Sequence, residues 1–349
     1  MTRSPPGRRR DLGASGDYAT ARAQWDFLAR AFVERLGTEH PRTLAAQANL
    51  AHWAGEAGDA VAARDALGTL VSRLDQISGP EATDTLAARA DLAWWTGMTG
   101  NRAAARDLMS AQLPIRERVS GPEHPDTLRE RASHARWTGS AGDAAQARDL
   151  LNALLPVRVR VSGVEHPETL VVRSQLARWT GLAGEAATAR DMFAELVAVR
   201  RRILGPEHPH TLAATSRLAY WTGAAGDPAT ARDMYAAMLS LHENVLGPEH
   251  PTVLAERADH ARWTGEAGNA QAARDLYRTL SPTLERAFAP DHPEALATRG
   301  ELARWTALAG DVTSARALYG ELLRAHERVY GPDHPKTAAL RADSQRWTQ

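Results

Sequence analysis

The chain has 349 residues, a formal net charge of zero and no cysteine. The balanced charge argues against a general nucleic-acid or membrane-surface binder, and the lack of cysteine excludes disulfides, thiol nucleophiles and cysteine-based zinc sites. No apolar run approaches the ~18 residues that a membrane-spanning helix needs, and the N-terminus lacks the apolar stretch of a secretory signal. These properties favour a cytoplasmic protein without a membrane segment.

The first thirteen residues, MTRSPPGRRRDLG, are basic and rich in proline and glycine, which predicts a disordered tail over residues 1–13. Beyond them, tryptophan recurs every 42 residues without slippage. The tryptophans are Trp53, Trp95, Trp137, Trp179, Trp221, Trp263, Trp305 and Trp347. The phrase GPEHPxTL recurs at the same step, and Ala289 replaces its glycine once. A fixed period of this length predicts a solenoid of stacked repeats.

Each period is predicted to form two helices. In GPEHPDTLRERASHARWTG, Pro125 suits the first helical position and His124 the N-cap that precedes it. Gly139 and Gly142 are predicted to end this first helix, because glycine accepts a left-handed backbone at a helix C-terminus. Asp143 then suits the N-cap of the second helix.

The second helices repeat a small residue followed four positions later by a large one, a spacing suited to close helix packing. The pairs are Ala147/Leu151, Ala189/Phe193, Ala231/Tyr235, Ala273/Tyr277 and Ala315/Tyr319. Residues 16–37 form a second helix without a first, and residues 333–349 a first helix without a second. The sequence therefore predicts about sixteen helices, organised as eight 42-residue units over residues 14–349 with half-repeats at both ends. Whether the chain is a whole protein or a piece of a longer one stays open.

These slots resemble the tetratricopeptide repeat. The Gly-Asp, alanine and aromatic slots at Gly226, Asp227, Ala231 and Tyr235 match its pattern, and the 42-residue period with its LGPEHPxTL linker is similar to the kinesin-light-chain type. Arrays of that type also resemble the C-termini of bacterial signal-transduction ATPases. The resemblance implies an all-α, right-handed superhelical solenoid with first helices lining a concave groove. The chain departs from it in its tryptophan column and in the phrase GPEATDTL, and it carries no nucleotide-binding module.

Seven histidines precede the first helices, but equivalent slots on neighbouring helices are too far apart to converge on one metal ion. Capping is therefore the preferred interpretation, and a buried stripe is preferred for the tryptophans. The repeated Arg-Asp pairs of the second helices are interpreted as ion pairs between repeats, since adjacent helical residues do not face each other. There is no Walker A loop, no H-E-x-x-H and no G-x-S-x-G. No enzyme activity, cofactor or metal is predicted.

The position just before each tryptophan is predicted to line the groove. Its occupants, the ladder residues, are His52, Trp94, Arg136, Arg178, Tyr220, Arg262, Arg304 and Arg346. Arginine forks pair with carboxylates, so the ladder suits an extended or acidic peptide segment. Alternatively, Asp259, Glu301 and Asp343 neutralise Arg262, Arg304 and Arg346 within their own helices.

The leading hypothesis is thus a non-enzymatic protein- or peptide-binding scaffold. A sensory or regulatory module of a larger signalling ATPase-type protein is the second hypothesis. A small-molecule binder or enzyme that uses the groove is a minor third. Nucleic-acid and membrane partners are not expected, and the sequence does not predict the oligomeric state.

Overall fold

The computed structural model describes residues 18–347, so the predicted tail at residues 1–13 lies outside the described residues. The described part contains sixteen α-helices and falls into two compact units, which divide at Ala183 and Gly184. The helices of unit 1 are α1 (Tyr18–Leu36), α2 (Pro41–Glu56), α3 (Ala60–Ile77), α4 (Thr83–Met98), α5 (Arg102–Ser120), α6 (Pro125–Ser140), α7 (Ala144–Ser162) and α8 (Pro167–Leu182). The helices of unit 2 are α9 (Ala186–Leu204), α10 (Pro209–Ala224), α11 (Pro228–Leu246), α12 (Pro251–Glu266), α13 (Ala270–Phe288), α14 (Pro293–Leu308), α15 (Val312–Tyr330) and α16 (Pro335–Gln345).

Within each unit, every helix packs mainly against its neighbours along the chain, as expected for stacked repeats. The even-numbered helices are the first helices of the repeats, and the odd-numbered ones are the second helices. The all-α fold and the number of helices predicted from the sequence are confirmed. Within residues 18–347, no helix combines the length and the apolar character needed to cross a membrane.

The first helices begin where the histidine caps predict. The Nδ1 atom of His124 accepts a hydrogen bond from the backbone N–H of Asp126 at 3.2 Å, which satisfies one of the free donors of the first turn. The same bond, at 3.1–3.2 Å, recurs at His40, His166, His208, His250, His292 and His334. Helix α4 is the exception, because Ala82 occupies its N-cap and makes no side-chain bond.

Most first helices carry two glycines near their end, which have different roles, and the prediction for one of them was wrong. Gly142 follows α6 with a φ of +114°, as predicted for a glycine that ends a helix. Gly139 instead lies inside α6, where a Cβ would come within 2.6 Å of the ring of Trp179 in the next first helix. Its hydrogen side chain permits a close approach between repeats and does not end the helix.

The core of each unit alternates tryptophans of the first helices with the large residues of the second. Trp53, Trp95 and Trp137 are buried, and Leu151 and Tyr235 fill the predicted large slot with no exposed surface. Trp347 is only partly buried.

The arginine and aspartate of each repeated pair contact each other. Arg106 Nε lies 2.8 Å from Asp107 Oδ1, the adjacent residue, and the same contact occurs in the other second helices that carry the pair. The flexible guanidinium folds back along the solvent face, which the sequence did not predict. Arg190 and Arg274 also interact electrostatically with Asp227 and Asp311 at the N-caps of the next second helices, in line with the predicted attraction between repeats.

Candidate functional site

In unit 1, the ladder residues His52, Trp94, Arg136 and Arg178 stand on α2, α4, α6 and α8. Trp94 and Arg136 are in direct contact, since the guanidinium carbon of Arg136 lies 4.5 Å from the centroid of the Trp94 ring. His52 reaches towards the next repeat, with its ring 6.1 Å from that of Trp95. Each of these side chains therefore rests on an aromatic ring of the first-helix face.

Arg136 is half-buried, and within residues 18–347 no carboxylate lies within ion-pair distance of it. Besides Trp94, its guanidinium lies 5.4 Å from the ring of Trp137. Burial lowers the pKa of Arg136, because a partly desolvated cation loses hydration. Such a cation has free hydrogen-bond donors and gains from an incoming carboxylate.

Arg178 also lies over its own tryptophan, with its guanidinium 4.6 Å from the ring of Trp179. Unlike Arg136, Arg178 is exposed. The two arginines occupy the same slot of consecutive repeats. A ligand that extends along the first helices of unit 1 would meet them one after the other.

In unit 2, the ladder residues Tyr220 and Arg262 repeat the arrangement of Trp94 and Arg136. The guanidinium of Arg262 lies 5.8 Å from the Tyr220 ring and 4.7 Å from the Trp263 ring. Asp259 does not form the expected ion pair with Arg262 but accepts a hydrogen bond from Tyr235 Oη at 3.1 Å. Burial raises the pKa of Asp259, while this hydrogen bond and then the charge of Arg262 oppose the rise.

The last two ladder arginines are neutralised locally, as the alternative interpretation of the sequence expected. Arg304 pairs with Glu301 at 3.3 Å and with Glu266 at 3.1 Å, and Arg346 pairs with Asp343 at 3.5 Å. The structure thus separates the ladder arginines into paired ones near the C-terminus and Arg136, whose contacts are aromatic.

Sequence reasoning missed a cavity of about 370 Å³ in unit 1, between α2, α4 and α6. His52 and Trp94 line it, and Met109 of α5 lies at its base. A signal for it was present in the sequence, because Met109 occupies the slot that holds Tyr235 and Tyr277 in later repeats. A larger groove of about 780 Å³ between α1, α2 and α3 is lined mainly by alanine and leucine and contains no ladder residue. Within residues 18–347, no three histidine, aspartate or glutamate side chains are grouped closely enough to hold a metal ion.

Comparison with known proteins identifies the repeat. Family models described as tetratricopeptide repeat match residues 85–126, 181–244 and 295–336. No curated protein matches the sequence. A solved structure of nearly identical TPR-like repeats from Podosopora anserina, assigned there to a kinesin light chain, is 27% identical, with a TM-score of 0.52 over 59% of this chain and 97% of its own.

Two further solved structures share the fold at lower identity. The apo quorum sensor NprR from B. thuringiensis is 10% identical, with a TM-score of 0.70 over 90% of this chain and 84% of its own. A signal transduction ATPase with a tetratricopeptide repeat sensor, from Pyrococcus horikoshii, is 13% identical, with a TM-score of 0.59. The match covers 95% of this chain and 50% of that protein.

Proposed function

Because the chain is a tetratricopeptide-repeat protein, we propose that it is a non-enzymatic scaffold whose first-helix groove binds an extended, acidic segment of a partner protein. Arg136 is the observation that carries this proposal. It is half-buried and stacked on Trp94, and no carboxylate within residues 18–347 forms an ion pair with it. A carboxylate in the partner would provide the counter-ion and two N–H acceptors in one group.

The ladder residues His52, Trp94, Arg136, Arg178, Tyr220, Arg262, Arg304 and Arg346 are proposed as the contact surface. Arg136 is proposed to supply most of the affinity, because Arg304 and Arg346 already have carboxylate partners, and Arg178 follows Arg136 in the same slot of the next repeat. The proposal also places the whole of residues 14–349 in the repeat array, with the basic tail outside it. A cytoplasmic location accords with this role.

The test compares three forms of the protein as bait in lysate of the native host. They are the wild type, Arg136→Glu/Arg178→Glu, and the matched control Arg304→Glu/Arg346→Glu, after circular dichroism has shown equal helicity. A partner that is held by the wild type and the control, lost by the first double variant and displaced by hexaglutamate supports the proposal. A partner that all three hold equally would contradict it.

A second candidate function is a sensory module of a larger signalling protein. The likeness to the Pyrococcus horikoshii ATPase favours it, since the match covers 95% of this chain but only 50% of that protein. The measurement is the mass of the endogenous protein, detected in the native host with an antibody against this chain. A band near 37.8 kDa would speak against a larger protein, and a much heavier one would favour it.

A further inference from the structure

One side chain that lines the cavity between α2, α4 and α6, Met109, lacks the hydroxyl group that later repeats carry in the same slot. In unit 2, Tyr235 Oη donates its hydrogen bond to the carbonyl of Ser216 and to Asp259, each at 3.1 Å. Three repeats earlier the equivalent positions are Met109, Ala90 and Ser133, and all three line the cavity. Methionine has no hydroxyl and cannot make these hydrogen bonds, and the cavity lies where the three equivalent positions meet.

The rim of this cavity carries more negative than positive charge. Glu56, Asp91 and Asp126 line it opposite Arg129, which pairs with Asp126 at 2.8 Å. His52 lies 4.0 Å from Glu56. Burial raises the pKa of Glu56, which a nearby cation would reverse.

The floor holds a buried polar group with unused hydrogen-bonding capacity. Glu130 receives Arg116 Nε at 2.8 Å and Gln112 Nε2 at 2.9 Å on one carboxylate oxygen, Oε1. Its second oxygen, Oε2, has no partner within residues 18–347, and neither does Arg116 Nη1, although both residues are over nine-tenths buried. An unsatisfied buried carboxylate oxygen is costly and favours a guest that donates a hydrogen bond.

Together, four carboxylates and two guanidinium groups line the cavity, so a negative excess remains when His52 is neutral. Arg136 stacks on Trp94 outside the lining, and counting it still leaves the excess negative. Within the described residues, the unpartnered buried polar atoms of the lining are one acceptor, Glu130 Oε2, and one donor, Arg116 Nη1. The excess of negative charge, the free acceptor and the indole of Trp94 together favour a cationic guest that carries N–H donors.

We propose that this cavity binds a basic side chain, a guanidinium or an ammonium group, placed between Glu56 and Glu130 and against Trp94. The inference rests on the proposed function, because it assigns part of the groove's specificity. A partner segment would then carry a basic residue at the level of α4 and acidic residues beyond it, where Arg136 and Arg178 lie. The order of charges would fix the direction and register of the bound segment.

The experiment uses calorimetric titration of the full chain with the capped peptide Gly-Ala-Arg-Ala-Gly. A second peptide carries citrulline, which has the shape of arginine without its charge. Met109→Tyr fills the cavity with the residue that later repeats use at this slot, so the fold is expected to survive. Leu151→Tyr places the same residue in the same slot of α7, outside the cavity, and is the matched control.

We expect the arginine peptide to bind the wild type and Leu151→Tyr equally, and to bind Met109→Tyr at least ~10-fold more weakly. The citrulline peptide should bind the wild type more weakly than the arginine peptide by a similar factor. Glu56→Gln should weaken binding of the arginine peptide several-fold. Equal binding of the two peptides, unchanged binding by Met109→Tyr, or no binding of the arginine peptide at ~10 mM would overturn the proposal. The ladder test uses an acidic competitor and leaves Met109 intact, so either proposal can fail while the other stands.

Discussion

Gly97 of α4 lies directly against the indole ring of Trp137 in α6, so close that a Cβ on Gly97 would stand 2.5 Å from ring carbons. Gly55 stands 2.4 Å from Trp95 on the same measure, and Gly265 stands 2.3 Å from Trp305. The tryptophan column and the glycine that stands two residues after most of these tryptophans thus form one packing arrangement, with Ala307 as an exception after Trp305. The ring of one repeat fills the space that the missing side chain of the previous repeat leaves.

Gly97→Ala is therefore expected to destabilise unit 1 although alanine is the better helix former. The methyl group forces Trp137 or α6 to shift, and overpacking of this kind costs about 1–3 kcal/mol. The control is Gly68→Ala, because Gly68 lies inside α3 with nothing within 4 Å of an added Cβ. That change should stabilise by about 0.5–1 kcal/mol. Urea unfolding followed by circular dichroism measures both, and equal midpoints for the two variants would contradict the close approach.

The helices and their caps could be predicted because each depends on residues near in sequence. The His124 cap, the Pro125 start and the glycine after α6 at Gly142 are local. The role of Gly139 was misjudged because the residue that requires its small size, Trp179, lies 40 positions further along the chain. Adjacent residues such as Arg106 and Asp107 were not expected to contact each other, because their Cα–Cβ bonds point in different directions on a helix. The long arginine side chain nevertheless folds back and reaches the aspartate.

The candidate site, too, could be predicted in part from the sequence. The ladder slot could be named from the period, whereas the pairing state of each arginine depends on side-chain positions. Glu266 and Arg304 are 38 residues apart, and their 3.1 Å contact is not a spacing that one helix could predict. The cavity was missed because the residue in the slot of Met109 was not compared with its counterparts in the other repeats. Comparing the repeats slot by slot, with Tyr235 as the reference, would have indicated it.

Ala289 is a further departure from the repeat, and its backbone conformation indicates strain that lowers the stability of unit 2. It ends α13 with φ 76° and ψ 153°, in the slot where the other repeats have glycine with a positive φ. A residue with a Cβ in this region is strained by about 1–3 kcal/mol. Ala289→Gly is expected to raise the unfolding midpoint of unit 2, even though glycine gains entropy in the unfolded chain. Gly247→Ala should lower it, and a loss of stability in Ala289→Gly would refute the strain.

Helix α4 lacks a side-chain N-cap, so adding one is expected to stabilise unit 1. Ala82 has φ −62° and ψ 142°, the extended backbone of the histidine caps, but it provides no acceptor. Ala82→Ser should add a hydrogen bond to the first turn and stabilise by about 0.5–2 kcal/mol. His124→Ala is the reciprocal variant and should lose a comparable amount from α6. Hydrogen exchange of the first-turn amides measures both effects locally, and unchanged exchange at α4 in Ala82→Ser would show that the serine does not cap.

Unit 2 contains a buried polar pair, and an equivalent repeat has apolar residues in the same two slots. His242 Nδ1 lies 2.6 Å from Glu256 Oε2, and both side chains are almost fully buried. Within residues 18–347, His242 Nε2 and Glu256 Oε1 have no partner. In unit 1 the same two slots hold Leu74 and Ala88 in one repeat and the ion pair of Arg116 and Glu130 in the next, all of them buried. The backbone of this repeat therefore accepts either a polar or an apolar pair.

Replacing only one residue of this pair should lower the free energy of unfolding, whereas replacing both should not. Glu256→Ala leaves the imidazole buried without its acceptor and is expected to cost about 1–3 kcal/mol, as is His242→Leu for the carboxylate. The double variant His242→Leu/Glu256→Ala reproduces the apolar pair of unit 1, and it should be neutral or more stable by about 1–4 kcal/mol, as found when buried polar pairs give way to apolar residues. A double-mutant cycle in urea measures the coupling. If the double variant loses as much as the sum of the single ones, the coupling is zero and the two residues contribute independently. The apolar pair of Leu74 and Ala88 then does not transfer to unit 2.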